Sequence, residues 1–130
     1  EGRQLAKPVF ELSYKNDALG DPLINDDHAV ALELVTEAEL AQIKDLTARI
    51  NRALQDLFLA ANLILVDFKI EFGKTSDGQI ILADEISPDT CRLWDKDTRD
   101  KLDKDRFRRD LGDVMAAYKE VLGRLENARN

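Results

Sequence analysis

The sequence has few of the residues that usually build cross-linked or reactive centres: one cysteine, one histidine and one tryptophan among 130 residues. A lone Cys91 excludes an internal disulfide and fits a reducing compartment. A lone His28 cannot make an imidazole metal centre and is expected to be structural or solvated. With three prolines and six glycines, the chain has no linker-like tract, and it shows no repeat or low-complexity run. No apolar stretch approaches the roughly 18 residues of a membrane span, and no signal-peptide pattern opens the chain. Lys and Arg number 19 against 26 Asp and Glu, a formal net charge of −7. That balance disfavours nucleic acid or an anionic membrane as the main partner, while leaving Lys15, Lys69 and Arg92 able to gather around one phosphate. Together these absences predict a cytoplasmic protein.

What is present is a chain with 44% apolar and 35% charged residues, the balance of a soluble single domain with a real core. Its densest chemistry lies in residues 63–89. Leu65 to Gly73 alternates, so a strand there would place Val66, Phe68, Ile70 and Phe72 on a core face and Asp67, Lys69 and Glu71 on the other. Asp77-Gly78 is a favoured two-residue type I′ loop. That loop would set Glu71 directly opposite Asp84, two carboxylates whose repulsion a shared cation would relieve. A three-residue loop would separate them. Hard oxygen ligands suit Mg2+, and the nearby Lys69 adds the positive charge expected where phosphoryl groups move. The plainer reading is an edge hairpin with a solvated charged face.

Around this hairpin the pattern predicts a strand at residues 8–14, a loop at 15–27 and a short helix at 28–34. Thr36 and Glu39 form a capping box for a long helix reaching Ala61, with Leu40, Ile43, Thr47, Ile50, Leu54, Leu57, Phe58 and Ala61 as its apolar stripe. That helix is expected to back the whole hairpin. Residues 91–95 suggest a short extended piece in which Trp94 packs, and residues 95–105 a solvated charged face or helix entry. Arg92 could grip a phosphate or pair with a neighbouring acid. From about Asp105, the spacing of Phe107, Leu111, Val114, Met115, Tyr118, Leu122 and Leu125 predicts a second helix. The expected class is α+β, an antiparallel sheet with a central hairpin backed by two long helices.

Three blocks of sequence resemble the phosphoribosylaminoimidazole-succinocarboxamide synthases, the SAICAR synthetases: Tyr14 to Pro22, Leu65 to Gly73, and Ala83 to Asp95. The likeness continues through Asp103-Lys104-Asp105-Arg106-Phe107-Arg108, in the family's order. It implies a kinase-related fold, of which this chain resembles the C-terminal substrate- and metal-binding portion, the N-terminal ATP-covering lobe being absent. The activity implied is that of a carbon–nitrogen ligase of purine biosynthesis, joining L-aspartate to carboxyaminoimidazole ribonucleotide with ATP and Mg2+. By the same resemblance Glu71 and Asp84 hold the metal on ATP, and Lys69 offsets charge on the transferring group. Lys15, Asp21 and Asp67 contact the imidazole nucleotide, with Asp67 and Lys69 the catalytic pair. Arg92 reaches the nucleotide's phosphate, and Asp89 lines the same pocket. These 130 residues alone are expected to fold without catalysing, and a homo-oligomer is left open. Two other readings compete: a noncatalytic acidic domain that binds a protein partner, and a kinase-like phosphotransferase acting on another small molecule.

Overall fold

The computed structural model describes residues 2–83, 90–103, 105 and 114–129. It separates into two compact units, Glu1–Ala48 and Arg49–Asn130, with the boundary falling inside a helix.

In the first unit, β1 (Leu12–Ser13) pairs antiparallel with β2 (Leu23–Ile24), Leu12 facing Ile24 and Ser13 facing Leu23. The strand expected over residues 8–14 therefore shrinks to Leu12 and Ser13. The expected loop is ordered by its own side chains: Asn16 caps a 3₁₀ turn at Asp17–Leu19, accepting from the Leu19 N–H at 3.2 Å, and Gly20 closes it at φ 72°. Helix α1 (Asp26–Ala31) starts two residues earlier than its pattern suggests because Asn25 is the cap. Its side chain accepts from the His28 N–H at 2.8 Å, and the Asn25 N–H donates to His28 Nδ1 at 3.3 Å. The lone histidine is thus a capping residue.

Helix α2 (Glu37–Ala60) opens on the predicted capping box, with the Thr36 N–H donating to Glu39 at 2.9 Å and the Glu39 N–H to Thr36 Oγ1 at 3.1 Å. Its first half buries Leu40 and Ile43 in the first unit. Its second half contributes Phe58, with Leu54 beside it, to the second unit's core, while Leu57 points outward. Asn62 then takes a left-handed conformation at φ 60° and ends the helix.

In the second unit, β3 (Leu63–Phe68) pairs antiparallel with β6 (Cys91–Asp95) and β4 (Phe72–Lys74) with β5 (Ile80–Leu82). The α+β class holds, with its antiparallel pairing divided among three small ladders. The single long strand of the sequence pattern is interrupted between Phe68 and Phe72. A bulge between Leu65 and Asp67 makes Val66 the extra residue, since Leu65 faces Leu93 and Asp67 faces Arg92. The bulge flips the alternation. Leu63, Leu65 and Phe68 share the core side, whereas Val66, expected inside, is 40% exposed.

That core also contains Ala61, Cys91, Leu93 and Leu102, together with Ala117, Val121 and Leu125 from α3 (Val114–Arg129). Among the described residues, the second half of α2 and α3 therefore back the β3–β6 ladder, while Ile81 and Leu82 on β4–β5 are exposed. The inward stripe of α3 runs through Ala117, Val121 and Leu125, while Met115 and Leu122, expected in the stripe, face outward. Phe107 and Leu111 lie outside the described residues. Among the described residues, no helix is long and apolar enough to cross a membrane.

Candidate functional site

The hairpin turn decides the first question. Phe72 faces Leu82, Gly73 faces Ile81 and Lys74 faces Ile80, and the Thr75 N–H donates to the Gln79 carbonyl at 2.8 Å. Ser76, Asp77 and Gly78 are therefore a three-residue loop. Gly78 alone of the three has a positive φ, 87°, which excludes the type I′ turn and fits a type I turn closed by a left-handed glycine. Thr75 holds the loop from within: its hydroxyl meets the Asp77 carboxylate and accepts from the Gln79 N–H at 3.0 Å. In this register the Ala83 N–H donates to the Glu71 carbonyl at 2.8 Å. The residue opposite Glu71 is Ala83, and the predicted direct opposition to Asp84 does not arise. Asp84 and Asp89 themselves lie outside the described residues.

The bulge in β3 brings the other charges together. Asp67 and Arg92 face each other across the ladder, with Arg92 Nη1 3.2 Å from Asp67 Oδ2. Arg92 Nε lies 3.2 Å from Oδ2 of Asp105, which is only 4% exposed. The ladder continues one step beyond β3, the Lys69 N–H donating to the Thr90 carbonyl at 2.6 Å. Lys69 is exposed and Glu71 half-buried.

Composition gave no warning of the floor beneath this array. Asp103 is 1% exposed, and it accepts from the Leu93 N–H at 2.7 Å and the Asp105 N–H at 2.8 Å. Burial raises its pKa and the neighbouring Asp105 charge adds to the effect, while the two N–H donors and Arg92 oppose it. The same segment folds back along β6, with the Leu102 N–H donating to the Leu93 carbonyl at 2.8 Å and Lys101 Nζ 4.8 Å above the Trp94 ring. The solvated face expected at residues 95–105 is thus partly interior, since Asp95 is buried as well. Asp95 accepts from the Asp97 and Thr98 N–H groups at 2.8 Å each and pairs with Arg124 at 2.7 Å. The Thr98 N–H, then Arg124 and the Asp97 N–H, lower its pKa to about 2. One signal was available in the sequence. Asp-Lys-Asp occurs at 95–97 and again at 103–105, and in both the first carboxylate takes the N–H two residues on, an Asx-turn.

In the first unit, Asp21 is half-buried in a left-handed conformation at φ 49°, and its Oδ1 accepts from the Asn16 N–H at 2.7 Å. Lys15 is exposed. A groove of about 540 Å³ in that unit is lined by residues including Phe10, Leu12, Ile24 and Asp26, and by none of the predicted site residues.

Among the described residues no three His, Cys, Asp or Glu side chains gather as a metal cluster. Mg2+ on a nucleotide needs only one or two protein carboxylates, because phosphates and water fill its shell. Glu71, a half-buried oxygen donor at the hairpin entrance, fits that modest demand.

The class these features define is an α+β protein with a charge-paired polar face on an antiparallel ladder. The family model described as SAICAR synthetase matches residues 1–125. A phosphoribosylaminoimidazole-succinocarboxamide synthase from Finegoldia magna is 66% identical over 125 residues, 96% of this chain and 54% of that protein. The synthase from Dichelobacter nodosus is 63% identical, over 97% of this chain and 53% of its own length. Among solved structures, the synthase from Ehrlichia chaffeensis superposes with a TM-score of 0.92 at 46% identity, covering 97% of this chain and 54% of the other. A SAICAR synthetase in complex with ADP superposes at 0.90 with 50% identity, covering 96% and 53%. The chain belongs to the SAICAR synthetase family, and it spans about half the length of these relatives.

Proposed function

We propose that the protein works as an ATP-dependent carbon–nitrogen ligase of purine biosynthesis, joining L-aspartate to carboxyaminoimidazole ribonucleotide and releasing SAICAR, ADP and phosphate. The observation that carries this reading is the ADP-bound relative, which matches nearly the whole chain at 50% identity. A carboxylate is a poor acyl donor until one of its oxygens becomes a leaving group. Phosphorylation by ATP supplies that leaving group, and the aspartate amine then attacks the activated carbon.

In the second unit, Lys69 would offset negative charge on the transferring phosphoryl group from its exposed position beyond β3. Asp67 would contact the imidazole nucleotide, with Arg92 directed to its phosphate and Asp89 lining the pocket. Glu71 with Asp84 would hold Mg2+, which when bound neutralises charge on the ATP phosphates. In the first unit, Lys15 and Asp21 are proposed substrate contacts, on the motif shared with the family. A cytoplasmic location accords with soluble substrates of this kind.

The test is ADP release by the full-length protein in a coupled assay. Release that requires ATP, Mg2+, L-aspartate and the carboxyaminoimidazole nucleotide together supports the reading. Release that ignores L-aspartate indicates a phosphotransferase instead, and absence of nucleotide binding indicates a noncatalytic domain.

A further inference from the structure

Arg92 belongs to a closed circuit of contacts. Its Nε meets the Asp105 carboxylate at 3.2 Å, and the Asp105 N–H is held by Asp103 Oδ1 at 2.8 Å. Asp103 Oδ2 holds the Leu93 N–H at 2.7 Å, and Leu93 is the next residue after Arg92. Asp105 and Asp103 are both buried, so their carboxylates have few alternative positions, whereas Arg92 is half exposed. A guanidinium has five N–H donors in one rigid plane. The Nη1 hydrogen bond to Asp67, with the ion pair between Nε and Asp105, restrains that plane. Among the described residues the Nη2 end meets no carboxylate.

We propose that Asp105 is a positioning residue, holding the Arg92 guanidinium through Nε so that its outer edge is aligned in advance for the phosphate of the imidazole nucleotide. The proposal rests on the ligase reading above. Its physical content is that a buried acid paired with an anion-binding arginine lowers the local positive charge, an electrostatic disadvantage that the orientation it imposes offsets. The two effects predict opposite outcomes. If Asp105 acted only as a charge, neutralising it would tighten phosphate binding; if it aligns Arg92, neutralising it weakens binding.

The experiment is steady-state kinetics on the full-length protein carrying Asp105→Asn, Arg92→Lys and both. Asp105→Asn is expected to raise KM for the imidazole nucleotide about tenfold, with kcat and the KM values for ATP and L-aspartate changed less than twofold. In the Arg92→Lys background the same substitution is expected to change that KM less than twofold, because the Nε contact is already gone. Equal effects in both backgrounds, a lowered KM, or a loss spread over all three substrates would overturn the proposal. Should Asp105→Asn not fold, the Arg92 Nε–H resonance of the native protein decides. Hindered rotation of the guanidinium, read from that resonance with and without the nucleotide, supports the proposal, and free rotation in either state overturns it. Failure of the ligase reading is a separate outcome, visible as no aspartate-dependent ADP release by the native protein.

Discussion

Ala83 donates its backbone N–H to the carbonyl of Glu71 at 2.8 Å, and this one bond fixes the register of the β4–β5 hairpin at the end where its acids lie. The pairing makes Glu71 the carboxylate of that hairpin to test for metal-dependent nucleotide binding. In the full-length protein Glu71→Gln is expected to weaken Mg2+-ATP binding about tenfold, roughly 1.4 kcal/mol, and to change metal-free ATP binding much less. Isothermal calorimetry with and without Mg2+ checks this, and equal losses would remove Glu71 from the metal's coordination.

The loop at Ser76–Gly78 makes a prediction about stability alone. A Cβ added at Gly78 meets nothing within 4 Å, yet the residue sits at φ 87°. Gly78→Ala should therefore destabilise by backbone strain of about 1 kcal/mol, and Gly78→Asn by less, because Asn tolerates the left-handed region. Thermal melts rank the two variants, and equal melting points for Ala, Asn and Gly at this position would contradict the observed turn.

Asp95 supplies a pH dependence. Its carboxyl titrates at about 2 in the fold against an ordinary 3.8, so the native state binds that proton less readily than the unfolded chain. The resulting stabilisation is full above pH 3.8 and is lost as pH falls through about 2. Asp95→Asn should cost about 2 kcal/mol near neutrality, the range for hydrogen bonds to a charged group. The difference from the native protein should shrink at pH 2, as urea titrations at the two pH values would reveal. A difference independent of pH would mean that the Arg124 pairing contributes nothing through charge.

Arg124 extends the same idea to packing. Its guanidinium reaches Asp95 at 2.7 Å, Glu120 at 2.7 Å and the carbonyl of Asn62 at 3.2 Å, tying α3 to the end of α2. Arg124→Met keeps the stem and removes the donors, leaving Asp95 buried without its cation. The expected loss is about 3 kcal/mol. In a double-mutant cycle with Asp95→Asn the two losses should fall well short of adding, and full additivity would separate the two residues energetically.

The sequence disclosed most where structure is local. Thr36 and Glu39 announced the start of α2 because a capping box is settled within four residues. The family motif was legible for the same reason, since Leu65 to Gly73 is one uninterrupted string. Features decided across the chain were hidden. Val66 is β-branched and looks like a core strand residue, but the pairing with Cys91–Asp95 makes it the bulge. Asp77-Gly78 serves two- and three-residue loops alike, and the Thr75 hydroxyl network favours the longer one. Asp103 and Asp105 looked solvated because their neighbours are charged; what buries them is the return of that segment along β6. The consequence for the candidate site in the second unit follows from these features. Asp67 and Arg92 come together as a pair, Lys69 and Glu71 follow along the same segment, and Asp84 and Asp89 lie outside the described residues.

Cys91, a core residue of β6, has its thiol pushed up to about 12, by burial first and then by the Asp103 and Asp67 charges. Almost none of it is thiolate at neutral pH, and the thiolate is the form that reacts with alkylating reagents. As the only sulfhydryl in the sequence, it is a natural clock for the opening of the β3–β6 ladder. A maleimide would modify it only as often as that ladder parts, so the labelling rate reads the opening frequency of the strands that carry Asp67 and Arg92.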